Sequence, residues 1–149
     1  MNTLSFGLTR LLFLLLVALT GFGPAQAGTP GLTPNDEKQI LHVVRSQLDA
    51  FAQDDATRAF SYAAPNIRHI MGTAEHFMEM VRRQYEVVYR PASAIFLRPN
   101  GDGSEAVLKL QLTDADGDPW IAVYTLQKQK NKSWRITGCA VSPANEVMV

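Results

Sequence analysis

The chain predicts an α+β domain, helices at the N-terminal end packed on an antiparallel sheet of four or more strands. Two observations carry this. Up to residue 90 the apolar residues recur at three- and four-residue spacing, and from Pro91 onward they alternate with period two between turn-forming clusters. Helices that precede the strands, rather than alternating with them, belong to an α+β layer arrangement and not to a doubly wound parallel sheet.

The first 27 residues stand apart from that domain. Arg10 is followed by the apolar run "LLFLLLVALTGF", residues 11 to 22, and then by "AQA" before Gly28. A basic start, an apolar stretch and a small-x-small end predict an export signal cleaved between Ala27 and Gly28, leaving residues 28–149 as one α+β domain in the periplasm or outside the cell. The run is too short for a permanent membrane anchor: as a helix it covers about 18 Å against a hydrocarbon core of about 30 Å.

In the domain, "GTPGLTPNDE" starts the first helix. Thr33 caps it, Pro34 suits the first helical position, and Asp36 and Glu37 favour the positive end of the helix dipole. Ile40, Val43, Val44, Leu48 and Phe51 then form one apolar face, and "QDD" ends the helix. "ATRAFSYAA" predicts a second helix capped by Asp54 or Asp55, with Ala56, Ala59, Phe60 and Ala63 on one side. Pro65 opens a short helix, "PNIRHIM", that Gly72 closes, and Thr73 begins a further helix with Phe77, Met80, Val81, Tyr85 and Val88 inward. Its end, "MVRRQYEVVYRP", predicts local charge pairing of Glu79 with Arg82 and Arg83, and of Arg82 with Glu86. Arg90, next to Pro91, is biased to extended backbone.

Four strand-like runs follow: "ASAIFLRP", "SEAVLKLQLTD", "PWIAVYTLQKQ" and "SWRITGCAVS". They are separated by "NGDG", "ADGD" and "KNK", the spacing of an antiparallel meander. "DADGD" has alternating acids, but aligning it to a calcium loop puts Pro119 where the glycine belongs and Thr125 where the closing glutamate belongs. It reads as a hairpin turn with Gly117 at positive φ.

Charge and cysteine content narrow the function. Without the signal the chain keeps 13 basic and all 14 acidic residues, a balance that predicts no nucleic-acid partner. Cys139 is the single cysteine, so no internal disulfide forms, and its apolar surroundings read as a small buried hydrophobe. His42, His69 and His76 show no metal-ligand spacing, and neither a metal nor a cofactor is predicted.

The stretches "YAAPNI", "FMEMVRRQY", "VVYRPA" and "TDADG", within a resemblance that covers roughly residues 38 to 143, together resemble an uncharacterised bacterial family, the domain of unknown function DUF4864. That family looks like a member of the nuclear-transport-factor-like superfamily. The resemblance implies a curved antiparallel sheet wrapped about a long helix into a cone-like shape. The superfamily holds isomerases, dehydratases and non-enzymatic binding and dimerisation modules, so the fold alone does not choose a function.

The candidate ligand contacts are Tyr62, Tyr85, Tyr89, Arg90 and Trp120, with Tyr89 and Arg90 near the expected junction of helices and sheet and Trp120 on a strand. The main expectation is a non-enzymatic module that binds a small apolar or amphipathic ligand, or a protein partner. One alternative is an isomerase or dehydratase that pairs a phenol from Tyr62, Tyr85, Tyr89 or Tyr124 with a base such as Asp49 or His42. Another is a homodimer formed through the open face of the sheet, since "AVLKL" and "WIAVY" carry apolar residues on both faces.

Overall fold

The computed structural model describes residues 31–146; the expected export signal and its cleavage point lie outside the described residues. Five helices come first: α1 (Pro34–Ala52), α2 (Ala56–Ser61), α3 (Pro65–Met71), α4 (Ala74–Gln84) and α5 (Glu86–Tyr89). Five strands follow, β1 (Ser93–Phe96), β2 (Asn100–Gly101), β3 (Glu105–Thr113), β4 (Pro119–Lys128) and β5 (Trp134–Pro143). Every strand pairing is antiparallel, in the order β1-β3-β4-β5, and β2 extends the sheet beside β3 at the end that β1 leaves free. The protein is thus α+β with an open sheet, as the switch in hydrophobic period implies. β2 forms within the "NGDG" segment expected to be only a turn, because Asn100 and Gly101 pair with Val107 and Ala106.

α1 begins where its caps dictate. The Thr33 hydroxyl accepts from Asp36 N at 3.1 Å, and the Asp36 carboxylate accepts from Thr33 N and Oγ1 at 3.3 and 2.7 Å. Asp36 does more than cap, for it is only 2 % exposed. It accepts from the Trp134 indole at 3.0 Å and meets Lys128 Nζ at 2.6 Å. Lys128 and Trp134 face each other across the β4–β5 ladder, so one carboxylate binds the first turn of α1 to the turn end of that hairpin. The Lys128 ammonium beside it, with the Thr33 and Trp134 bonds, outweighs burial and holds the Asp36 carboxyl far below the usual carboxylate range.

The buried face of α1, Ile40, Val43, Val44, Leu48 and Phe51, meets an inner sheet face built from Leu108, Leu110 and Leu112 of β3, Ala122, Tyr124 and Leu126 of β4, and Trp134 and Ile136 of β5. In β5 the alternation changes phase. Leu126 pairs with Ile136 but Thr125 pairs with Gly138, so Thr137 is an extra residue in a β-bulge. Gly138 fits there because a Cβ would lie 3.0 Å from Thr125 Oγ1. Past the bulge, Cys139 and Val141 stand opposite Tyr124 and Ala122 on the inner side. The chain between α2 and α3 is fastened at the same place, with Ile136 N donating to Tyr62 O at 2.9 Å and Ala64 N to Ile136 O at 2.8 Å.

Two local expectations at the end of the helical layer change. The apolar face of α4 buries Met78 more deeply than Met80, and α4 stops at Gln84 because Tyr85 leaves the helical region at φ −131° and ψ 44°. Of the charge pairs foreseen there, Glu79 binds Arg83 at 2.6 Å and reaches Arg82 at 4.0 Å, but Arg82 does not pair with Glu86. Arg82 instead crosses to Asp54 at 3.0 Å, a residue at φ 54° just past α1. The α3–α4 link is tighter still: Gly72, at φ 76° and ψ −60°, is the centre of a γ-turn closed by Thr73 N donating to Met71 O at 2.9 Å.

Candidate functional site

Between the helices and the inner face of β4 and β5 lies a cavity of about 220 Å³. Each wall follows from local sequence. α1 contributes Gln47 and Phe51 one turn apart on its buried face, and the fastened link contributes Ala63. α3 lays Ile67 and Met71 over the top, α4 and α5 supply Phe77, Met80, Val81 and Val88, and the sheet closes the far side with Tyr124, Ile136, Gly138 and Cys139. Phe77 is held by Phe51 and Phe60, with ring centres 6.0 and 5.4 Å away. The partly exposed members, Ile67, Met71, Met80 and Tyr85 on the helical side and Gly138 and Cys139 on β5, mark where the cavity nears the surface.

The lining holds no Asp, Glu, His, Lys or Arg. Its polar groups are Gln47, Tyr85, Tyr124 and Cys139. Gln47 is 3 % exposed, and its amide nitrogen donates to Ala59 O at 3.1 Å. Tyr124 is 1 % exposed, and its hydroxyl has no hydrogen-bond partner among the described residues. Burial raises the Tyr124 phenol well above its ordinary value, with the thiol of Cys139 across the ladder adding to the shift. Burial also pushes the Cys139 thiol up to about 12, with the Tyr124 phenol offsetting part of the rise. Both groups are therefore neutral, and their approach does not reach hydrogen-bond geometry.

The structure separates the sequence-derived candidates. Tyr85 lines the cavity. Tyr62 packs against the core and contributes its main-chain carbonyl to Ile136, but it is not part of the cavity wall. Tyr89 and Arg90 lie at the surface in a cluster around Asp54. The Tyr89 hydroxyl donates to Asp54, Arg90 reaches Asp54 at 2.9 Å and donates to Ala52 O at 3.0 Å, and the Arg90 guanidinium lies 4.7 Å from the Tyr89 ring centre. That arginine supplies the cation that the last turn of α1 lacks, capping a carboxyl-terminal carbonyl. The Tyr89 hydroxyl and Arg82 hold the Asp54 carboxyl below its ordinary value.

Trp120 is partly buried and donates its indole N–H to Asp114 at 2.8 Å, fixing the β3–β4 turn in which Gly117 takes φ 91°. With Tyr85, Arg90 and Asp116 it lines a separate surface groove of about 350 Å³. The two bases considered for an isomerase, His42 and Asp49, are exposed on α1. The features that the sequence did not single out are Gln47, Met71 and the β5 bulge that brings Cys139 beside Tyr124. Among the described residues no three His, Cys, Asp or Glu side chains converge on a metal position, and no helix is long and apolar enough to cross a membrane.

The fold and cavity define a small α+β domain with an apolar interior site beneath its helices. The chain belongs to DUF4864, a domain of unknown function, whose family model matches residues 33–149. The comparisons with curated proteins and with solved structures find no match for it.

Proposed function

We propose that this protein is an exported, non-enzymatic module that holds a small apolar or amphipathic molecule in the cavity between α3, α4 and the β4–β5 hairpin. The observation that carries the reading is the lining, apolar apart from four neutral polar side chains and without a charged residue. Sites of this composition bind by excluding water and orient the ligand through a few polar groups. An isomerase or dehydratase would need a base within reach of the reacting carbon, and His42 and Asp49 lie on the exposed side of α1. By size, an apolar cavity of about 150 Å³ holds benzene, so this one suits a ligand of roughly nine non-hydrogen atoms.

Native mass spectrometry of the purified protein tests the reading. A retained small molecule is expected, and it should be lost in Ile67→Trp or Met71→Trp, which fill the partly exposed rim. A retained mass that both variants keep would place the ligand elsewhere and refute the site.

A second reading, a homodimer through the outer sheet face, is favoured by the exposed side chains Ile95, Leu97 and Val107, 58 %, 38 % and 38 % accessible. Glu105 and Lys109 flank Val107 on the same face of β3. A two-fold axis through Val107 would set each Glu105 against the Lys109 of a second copy. Sedimentation at micromolar concentration tests this, with Val107→Lys expected to leave only monomer; a wild-type monomer would end it.

A further inference from the structure

We infer that Gln47 selects the ligand of this cavity, and that the ligand class is a small uncharged alcohol, its hydroxyl on the Gln47 amide and its carbon skeleton against the apolar wall. This rests on the binding reading above and narrows it. Gln47 stands on the buried face of α1, four residues before Phe51, and is 3 % exposed. Leucine or methionine packs in the same space without burying an amide. The amide nitrogen donates to Ala59 O at 3.1 Å, which ties α1 to α2. That bond leaves one N–H and the carbonyl oxygen, which accepts no hydrogen bond from the described residues. Buried polar capacity of this kind costs the folded state and calls for a specific partner. The Tyr124 hydroxyl takes no part. It alone, among the buried side-chain polar atoms described, lacks both a partner and contact with open space, whereas the Gln47 oxygen is not sealed in that way.

The rest of the wall narrows what can meet that amide. The second N–H of Gln47 and the hydroxyl of Tyr85, at the partly exposed mouth, both donate, and the Cys139 thiol is weak in either role. Any ligand oxygen satisfies those donors. The inner acceptor, Gln47 Oε1, is satisfied only by a ligand that brings a hydrogen of its own. A hydroxyl does both at one atom, donating to the amide oxygen and accepting from a wall donor. A ketone accepts only and leaves the amide oxygen bare, and a hydrocarbon leaves the whole amide unmet. An ammonium would donate, but the lining has no carboxylate to offset its burial, and a carboxylate would find no cation. A site built to hydrogen-bond a hydroxyl rejects the analogue that lacks it, because its own buried polar group is then unpaired.

Three probes of nearly one shape separate these cases: 1-phenylethanol, acetophenone, in which a carbonyl replaces the alcohol, and cumene, in which a methyl replaces the hydroxyl. Isothermal titration calorimetry of purified wild-type protein, Gln47→Met and Tyr85→Phe provides the measurement. In wild type, 1-phenylethanol should bind about tenfold more tightly than acetophenone, as one hydrogen bond to a buried acceptor provides. Gln47→Met keeps an unbranched side chain of similar length and removes the amide; there the alcohol preference should vanish while cumene binds at least as tightly as before. Tyr85→Phe removes only the hydroxyl at the mouth and should keep the preference. If Gln47→Met does not fold, the wild-type and Tyr85→Phe titrations still decide. Equal binding of alcohol and ketone to wild type, a preference that survives in Gln47→Met, or one that vanishes in Tyr85→Phe overturns the role of Gln47 and leaves the binding reading standing. Binding of none of the three probes at millimolar concentration overturns the binding reading itself.

Discussion

Changing Asp36 to asparagine should weaken the fold more than any surface change, and the structure sets the size of the effect. The carboxylate accepts from Trp134 and twice from Thr33 and faces Lys128 at 2.6 Å, with its side chain only 3 % exposed. Removing one partner of a buried ion pair typically costs roughly 3–5 kcal/mol, because the other charge is left uncompensated. Lys128 keeps 25 % exposure and can turn toward solvent, which places the expected loss at the lower end, about 3 kcal/mol, a large part of a typical stability of about 5–15 kcal/mol. Urea unfolding at pH 7 measures it, with a lower midpoint and an unchanged slope expected. The effect depends on pH with a definite sign. The folded-state pKa of Asp36 lies below its ordinary value of 3.8, so its stabilisation is complete above about pH 5 and fades as pH falls through 4 and lower. The gap between wild type and variant should therefore begin to narrow below about pH 4 and be measurably smaller, though still open, at about pH 3. A loss below about 1 kcal/mol at neutral pH, or a gap that stays constant down to pH 3, would refute the account of Asp36 as a charged pin.

Three other outcomes follow from named geometry. Gly72→Ala should destabilise by about 1–3 kcal/mol through backbone strain alone, since a Cβ at Gly72 meets nothing within 4 Å; thermal unfolding decides, and an unchanged midpoint would refute the γ-turn argument. Cys139 should resist iodoacetamide at pH 8 in the native protein and react readily in urea, as a thiol pushed up to about 12 is almost wholly protonated; intact-mass labelling reads this directly. Tyr89→Phe and Arg90→Ala should leave retention of a cavity ligand unchanged, because both residues belong to the Asp54 cluster, whereas Tyr85→Ala should reduce it, as native mass spectrometry would show.

The helices could be read from sequence because their signals are local: Thr33 and Pro34 start α1, Pro65 and Gly72 bound α3, and Thr73 caps α4, donor and acceptor lying within a few residues. The four main strands were visible for the same reason, through alternation and turn residues. What period and propensity do not encode is which distant groups meet. Asp36 finds Trp134 at a separation of 98 residues, and Asp54 draws in Arg82 and Arg90 from 28 and 36 residues away, so of the arginines of "MVRRQYEVVYRP" Arg83 pairs within its helix while Arg82 divides itself between Glu79 and Asp54. Four tyrosines offered a phenol, and only the assembled sheet shows that Tyr124 is the one with a buried, unmet hydroxyl. In "RITGCAVS" strict alternation from Trp134 would send Cys139 outward; the bulge at Thr137 reverses it.

That bulge makes the second half of β5 a matter of parity. Deleting Thr137 would give a regular ladder in which Ile136 and Cys139 both still face inward, whereas pairing the full-length strand without the bulge would send Cys139 and Val141 to solvent and bring Ala140 and Ser142 into the interior. In that second case the cavity would lose one wall while its other walls kept their residues. The strand is therefore constrained in a way that side-chain size is not: an exchanged side chain adjusts the volume of the site, while the placing of one extra residue decides which side chains belong to it.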